Sequence, residues 1–573
     1  MLRLRGATIQ FQSANFLNIL IFKPLLSKHY FMENVYIEYI YLILIILALV
    51  MLAQRLKISY PIVLVLGGLV LSFIDGFGSI TINPNLIFFI FLPPLLYEAA
   101  WATSWKEFWR WRRVITSFAF PIVIVTSLVV AIVSNAILPG FTLALGFLLG
   151  GIISPPDAIS ATSIMRNVQA PKSLVSIIEG ESLLNDATSL IVFRFALAAV
   201  LTSQFVFQQA VTSFFLVIVM GVVIGLTVAV IFYAIHRLLP TTPSMDIVLS
   251  FVTPYCMYYF AERFHFSGVL AVVSGGLFLS YHRQKMLSHL SRVQSTNVWS
   301  TVGFVLNGLI FMLIGLQLPH IVNQLGDIHL STAIGYGLLI SLVLIITRML
   351  CTFGAVLFTR FMSHFITVAD RNPGWKAPII FGWAGMRGVV SLAAALSIPV
   401  YVNSINKVPF PQRNLILFIT FIVILVTLVF QGLTLPWLIR KVKMEDRFSP
   451  IPPEKQEMII QKKIANTSIL FLEEQYKDDV VANEYVGNLR SRLGSSLNYF
   501  TNSLENGLAP DGNNPLKRYQ QIALNLLDKQ RDLLHQMNHR SEFDEDLIRK
   551  HLSLLDLEET KLREKLPHDA QVK

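Results

Sequence analysis

Charge is what the first three quarters of this sequence lacks. The chain has 573 residues with 46 Lys and Arg and 35 Asp and Glu; the last 133 residues hold 20 and 22 of them, leaving 26 basic and 13 acidic residues for the first 440. Fewer than one residue in ten is then charged, against about 25% in soluble domains. A water-soluble fold of that size would have too little charged surface, so this part reads as a polytopic membrane domain and the remainder as a soluble tail. Cysteine is scarce as well. Cys256 and Cys351 both lie in apolar runs, which excludes a disulfide framework and a thiolate zinc cluster. Apolar/polar alternation is missing, which excludes an outer-membrane barrel. A pI near 9.5 would suit a nucleic-acid partner, but the basic excess sits between apolar runs, where orientation in a bilayer accounts for it.

About 20 mostly apolar residues suffice to span a membrane. Thirteen candidate segments are read, at 36–54, 58–74, 84–102, 114–138, 141–165, 173–202, 207–235, 245–261, 266–282, 297–319, 331–359, 376–399 and 413–438. With residue 36 outside, the inner loops hold Arg55, Lys57, Lys106, Arg110, Arg112, Arg113, Arg166, Lys172, Arg237, Arg283, Lys285, Arg292, Arg360 and Arg371, whereas the outer loops hold only Arg263, Lys407 and Arg413. This asymmetry predicts an N-terminus outside and a C-terminus in the cytoplasm, in the plasma or inner membrane. Residues 1–31 carry Arg3, Arg5, Lys23 and Lys28, which does not suit an outside tail. They are read as an extension ahead of a start at Met32, a short amphipathic anchor being the alternative. The expected domains are therefore 1–31, a membrane domain over 32–440 and a cytoplasmic helical tail over 441–573. In the tail, Ile522, Leu524, Leu526, Leu527, Leu533 and Leu534 form one apolar stripe and Leu547, Ile548, Leu552, Leu555 and Leu557 another, both read as packing faces. His535 and His539 have metal-ligand spacing, but without an HExxH pattern they read as solvated surface.

Two membrane segments are interrupted. The fifth contains Ser154-Pro155-Pro156-Asp157; two prolines in a row remove two donors and push the preceding residue out of the helical region. The twelfth contains Gly382, Gly385 and Gly388 around Arg387. Each is the fifth member of a six-helix unit if helices 1–6 and 8–13 are repeats, and an odd linking helix makes such repeats inverted. Interrupted helices in corresponding positions of two halves point to a transporter's binding site. The expected fold class is an all-α polytopic membrane protein of about thirteen helices, with two six-helix inverted repeats, crossed broken helices and a helical C-terminal domain.

The acids of the membrane part are few enough to weigh singly. Glu33, Glu38, Asp75, Glu107, Asp246, Asp327 and Asp370 fall at ends or in loops, where solvation suffices. Glu98, Asp157, Glu179, Glu181, Asp186 and Glu262 remain, and a carboxylate at mid-membrane costs about 2.5–3.5 kcal/mol even on the insertion-based scale. On a helix Glu181 and Asn185 are i, i+4, as are Ser182 and Asp186, so this turn gathers hard oxygen ligands suited to a small cation. Backbone interrupted at Pro155-Pro156 exposes carbonyls beside Asp157. Buried Arg387 needs an acidic partner, and Glu181 is the one expected. Arg194 can serve Glu98 or the outer surface, and Arg348 can snorkel to the inner face; the spacing leaves both open.

The segments Phe91-Leu92-Pro93-Pro94-Leu95-Leu96-Tyr97-Glu98, Ser154-Pro155-Pro156-Asp157-Ala158, Glu181-Ser182-Leu183-Leu184-Asn185-Asp186 and Gly385-Met386-Arg387-Gly388 resemble, in order, the sodium/proton exchangers of the monovalent cation:proton antiporter family, in its electroneutral branch. The resemblance covers about residues 35–440. It implies that Asp186 is the carrier that binds Na⁺ or H⁺ in competition, with Asn185 its neighbour, Asp157 the aspartate of the crossed unwound helices, Ser182 a direct ligand, Glu181 with Arg387 a stabilising ion pair, and the assembly a homodimer. Pro156 departs from the family, many of whose members have Thr there as a ligand, so the choice among Na⁺, K⁺ and Li⁺ stays open. The expectation is a secondary antiporter exchanging a monovalent cation, Na⁺ first, for H⁺ in electroneutral fashion at one carboxylate, with K⁺/H⁺ exchange the alternative and a cation channel the more distant one. The sequence presents no nucleophile–base pair or metal cluster for an enzyme, and calls for no cofactor.

Overall fold

The computed structural model describes residues 40–74, 87–202, 207–326, 328–365, 374–403, 408–444, 451–506, 515–538 and 542–564. The chain forms two compact units, Met1–Glu445 and Asp446–Lys573. The predicted 1–31 extension, Glu33, Glu38, Asp75, Asp327, Asp370 and His539 lie outside the described residues.

The first unit begins with α1 (Ile40–Leu56), α2 (Tyr60–Leu71), α3 (Leu92–Ala102) and α4 (Trp105–Ile137). Next come α5 (Leu143–Ile153), α6 (Ala158–Asn167), α7 (Lys172–Thr202) and α8 (Phe207–Leu238). They are followed by α9 (Pro243–Arg263), α10 (Gly268–Met286), α11 (His289–Leu316) and α12 (Leu318–Asn323). The unit closes with α13 (Leu330–Met362), α14 (Lys376–Trp383), α15 (Val389–Leu396) and α16 (Arg413–Val442). A small antiparallel hairpin, β1 (Tyr401–Asn403) and β2 (Val408–Pro409), sets Tyr401 opposite Pro409 between α15 and α16. Seven stretches among the described residues are long and apolar enough to cross a membrane: α4, Leu143–Asn167, α7, Val211–Leu238, His289–Asn323, α13 and α16. The other predicted segments are occupied by shorter or less apolar helices, and the twelfth is divided between α14 and α15.

Proline explains several local details. Pro93 and Pro94 open α3 directly after a π-helical turn, Ile87–Phe91, where the helix changes its bonding pattern. Pro121 sits in a π-helical turn, Phe118–Ile122, inside α4, and a further such turn, Thr427–Gln431, interrupts α16. The apolar window of α8 is only 22% buried against 72% for α16, so α8 is peripheral and α16 central. α4 lies directly on α5, because a Cβ on Gly150 would fall 2.6 Å from the Ser127 carbonyl oxygen.

Asp246 departs from the solvated reading. It is buried, and its carboxylate meets His236 Nδ1 at 2.8 Å, joining the end of α8 to the start of α9.

The second unit contains α17 (Pro453–Gln475), α18 (Lys477–Ala482), α19 (Glu484–Asn506), α20 (Pro515–Asn538) and α21 (Glu545–Glu564). α17 packs on α19 and α20 on α21. Arg531 ties the latter pair together, reaching Asp528 at 3.2 Å, Asp556 at 2.8 Å and Glu559. Hydrogen bonds from Arg563 and Arg531 hold the Glu559 carboxyl below its ordinary range. The apolar stripes are only partly covered: Leu527 and Ile548 are buried, while Ile522, Leu526, Leu533, Leu547 and Leu557 stay exposed.

Candidate functional site

The site forms where the two interrupted segments cross. α5 stops at Ile153 because Pro155 and Pro156 cannot continue it, and α6 starts with Asp157 as its N-cap. The Asp157 carboxylate accepts from the Ile159 N–H at 3.1 Å, the Ser160 N–H at 3.3 Å and the Ser160 hydroxyl at 2.7 Å. Its own N–H donates to the Met386 carbonyl at 2.6 Å, binding one break to the other. At the second break, α14 ends at Trp383 and α15 begins after Gly388. Position 388 must be glycine, since a Cβ there would lie 2.8 Å from the Asp157 side chain.

α7 runs beside this crossing. Ser182 Oγ accepts from the Ala158 N–H at 3.3 Å, and Ser189 donates to the Gly151 carbonyl at 2.6 Å, so α7 is pinned to both halves of the fifth segment. Asp186 retains 9% of its surface exposed, and Asp157 is near enough to act on it electrostatically. Asn185 is fully buried, yet among the described residues neither its amide oxygen nor its amide nitrogen has a hydrogen-bond partner. Such an orphaned amide is costly unless something polar meets it.

The expected Glu181–Arg387 pair is not the one that forms. Glu181 is held by Arg348 in a two-pronged bridge, Nη1 to Oε1 at 2.8 Å and Nη2 to Oε2 at 3.0 Å, with both side chains buried. Arg348 therefore does not snorkel; its Nε also donates to the Phe381 carbonyl at 3.2 Å, near the end of α14. Arg387, fully buried, turns instead to the end of α5, donating from Nε to the Ile153 carbonyl at 2.9 Å, from Nη2 to Ser154 at 3.4 Å, and from Nη1 to Gly385. Its own N–H is taken by Thr427 Oγ1 at 3.1 Å, in the π turn of α16. The physical reason is that a helix stopped inside the membrane leaves carbonyls without donors, and a guanidinium with five N–H groups answers them. Each arginine thus caps the C-terminal end of one broken helix.

The other intramembrane acids stand apart. Glu179 pairs with Arg166 at 2.6 Å and Glu262 with Arg194 at 2.5 Å, both partly exposed, which settles the partner of Arg194. Glu98 lies against α11, where a Cβ on Gly303 would come within 3.0 Å of it. Sequence reasoning missed Arg348 as the partner of Glu181. The available signal was an arginine in a long apolar run, which needs an acid as much as Arg387 does.

The fixed charges nearly balance. Two guanidiniums are opposed by Glu181 and by two helix C-termini of about −0.5 each, which leaves a net charge of about zero. Asp157 caps the N-terminus of α6 and lies against Gly388 at the start of α15, two helix ends of about +0.5 each; set against the carboxylates of Asp157 and Asp186 they leave roughly one negative charge at the crossing. One monovalent cation or one proton neutralises it. The oxygens of Asp157, Ser182, Asn185 and Asp186 are the hard donors such a cation takes.

A family profile described as "Sodium/hydrogen exchanger, transmembrane" matches residues 41–441. The chain is 32% identical over 432 residues to a sodium, potassium, lithium and rubidium/H⁺ antiporter of Bacillus pumilus, covering 74% of this chain and 63% of that protein. It is 33% identical over 392 residues to the antiporter of the same name from Bacillus subtilis, covering 66% and 57%. The chain thus spans about six-tenths of the length of these two relatives. The fold aligns with the sodium proton antiporter MjNhaP1 of Methanocaldococcus jannaschii with a TM-score of 0.57, at 20% identity, over 73% of this chain and 99% of that one. A profile match across the whole run of membrane helices, the crossing included, places the protein: the chain belongs to the sodium/hydrogen exchanger family.

Proposed function

We propose that the protein is a secondary antiporter that exchanges a monovalent cation, Na⁺ first, for H⁺ by competition at Asp186. The observation that carries this reading is the Asn185–Asp186 pair: an amide with no partner among the described residues beside a carboxylate that is almost buried, at a crossing left with about one negative charge. Asp157 and Ser182 supply further oxygens, while Glu181, Arg348 and Arg387 hold the broken helices in place. Because one carboxylate takes either ion, cation binding releases a proton and the exchange is one for one and electroneutral. Thirteen crossings with the N-terminus outside and the C-terminus inside the cell membrane suit the loop charges, and a homodimer is the assembly.

A K⁺/H⁺ reading has its own support. Pro156 offers a cation only its carbonyl, where a hydroxyl would tighten the shell for a small ion, and both Bacillus relatives are named for several alkali cations.

The test is dequenching of an imposed pH gradient in proteoliposomes on adding Na⁺, K⁺ or Li⁺ singly. Asp186→Asn should abolish the response to every cation while leaving the protein monodisperse and as heat-stable as the wild type. Wild-type exchange by that variant would refute the assignment.

A further inference from the structure

Helix α4 is longer than a bilayer requires. Its 33 residues extend roughly 50 Å at 1.5 Å per residue, whereas the hydrocarbon core is about 30 Å thick. Residues 114–137 carry no charge and suffice for the core. The turns before them are of another kind: from Trp105 to Arg113 there are one lysine, three arginines and three tryptophans against a single acid, Glu107. That acid accepts the Trp111 indole N–H at 3.2 Å.

The two faces of this stretch differ. Trp111 and Ile115 are buried, and a Cβ on Gly180 would lie 3.3 Å from the Phe108 ring and overlap Ile115, so this face packs on the turn of α7 that carries Glu181. Lys106, Trp109, Arg110 and Arg113 recur every three or four residues on the other face, and all four are exposed. Arg112 steadies the exposed indole: its guanidinium lies 4.5 Å from the Trp109 ring centroid and donates to the Trp109 carbonyl at 2.7 Å.

We propose that this face binds an anionic membrane phospholipid, its phosphodiester held among Lys106, Arg110 and Arg113 and its glycerol lying along Trp109. The helix length places these turns at headgroup depth, where tryptophan is favoured and cations attract acidic lipid. The topology rule alone asks only that basic residues lie on the inner side. It does not ask for three of them in one exposed row with an indole between, backed by the turn that carries Glu181. Because the buried side of the same turns packs on α7, the lipid also steadies the site helix. The binding claim stands by itself; the effect on rate rests on the antiport reading.

Native mass spectrometry of the full-length protein, taken from mixed phosphatidylcholine and phosphatidylglycerol, tests it. The wild type should retain phosphatidylglycerol in preference, and the triple variant K106Q/R110Q/R113Q should retain it at least about tenfold less. A control triple elsewhere on the predicted inner side, R237Q/R283Q/R360Q, should behave as the wild type, and soluble glycerol phosphate should not compete. Equal retention by the first triple, equal loss in the control, or displacement by glycerol phosphate would overturn the site. In vesicles, phosphatidylglycerol should speed cation-dependent dequenching by the wild type and leave the first triple unchanged. A wild type that retains the lipid but exchanges equally fast without it keeps the site and overturns the coupling. Absence of exchange in every vesicle contradicts the antiport reading instead.

Discussion

Glu181 and Arg348 meet by two parallel hydrogen bonds with both side chains buried, and Arg387 stands nearby on a different set of acceptors. The two arginines should therefore respond differently to the same test. Removing one partner of a buried pair costs about 3–5 kcal/mol, because the other charge is left uncompensated. Arg348→Ala should lower thermal stability strongly, and Glu181→Gln in the same chain should restore much of the loss. Arg387→Ala should destabilise as well, yet Glu181→Gln should not rescue it, since Arg387 serves carbonyls. Rescue of Arg387→Ala and not of Arg348→Ala, in a thermal-melt cycle, would restore the pairing expected from sequence. Asp157, Ser182, Asn185 and Asp186 are legible in the sequence because each charge or oxygen cluster in an apolar run must be explained. The partner of Glu181 is not: three arginines, Arg194, Arg348 and Arg387, lie in apolar runs, and spacing along the chain says nothing of which one reaches across.

At the scale of elements, both helix breaks can be read from backbone chemistry alone. Pro155-Pro156 lacks donors, and the glycines around Arg387 carry no side chain to hold a helix together. That the breaks touch is a matter of packing, seen in the bond from Asp157 N–H to the Met386 carbonyl and in the space that Gly388 leaves for Asp157. Gly388→Ala should push these segments apart. It should slow exchange or raise the cation KM severalfold or more while the melting temperature moves little, because the α4–α5 packing is remote from it; unchanged kinetics would show that the contact does not position Asp157. The π turns at Phe118–Ile122 and Thr427–Gln431 are not legible, since they answer to the neighbours of α4 and α16 rather than to a residue pattern. The apolar stripes of α20 and α21 are legible as stripes, but not how much of each stays exposed.

For the whole molecule, the shortage of charge over the first 440 residues separates membrane helices from tail, and the four motif segments point to the family before any geometry is known. On the proposed reading, competition between two ions arises from the assembled crossing: a near-neutral scaffold of Glu181, Arg348, Arg387 and helix ends around one uncompensated negative charge. The most direct test is the cation dependence of exchange in proteoliposomes measured across pH, at zero membrane potential and with a potential imposed. If H⁺ and the cation share Asp186, the apparent KM for the cation rises as pH falls, the maximal rate at saturating cation changes far less, and the imposed potential drives no net exchange. A KM indifferent to pH, or exchange driven by potential alone, would contradict competition at a single carboxylate.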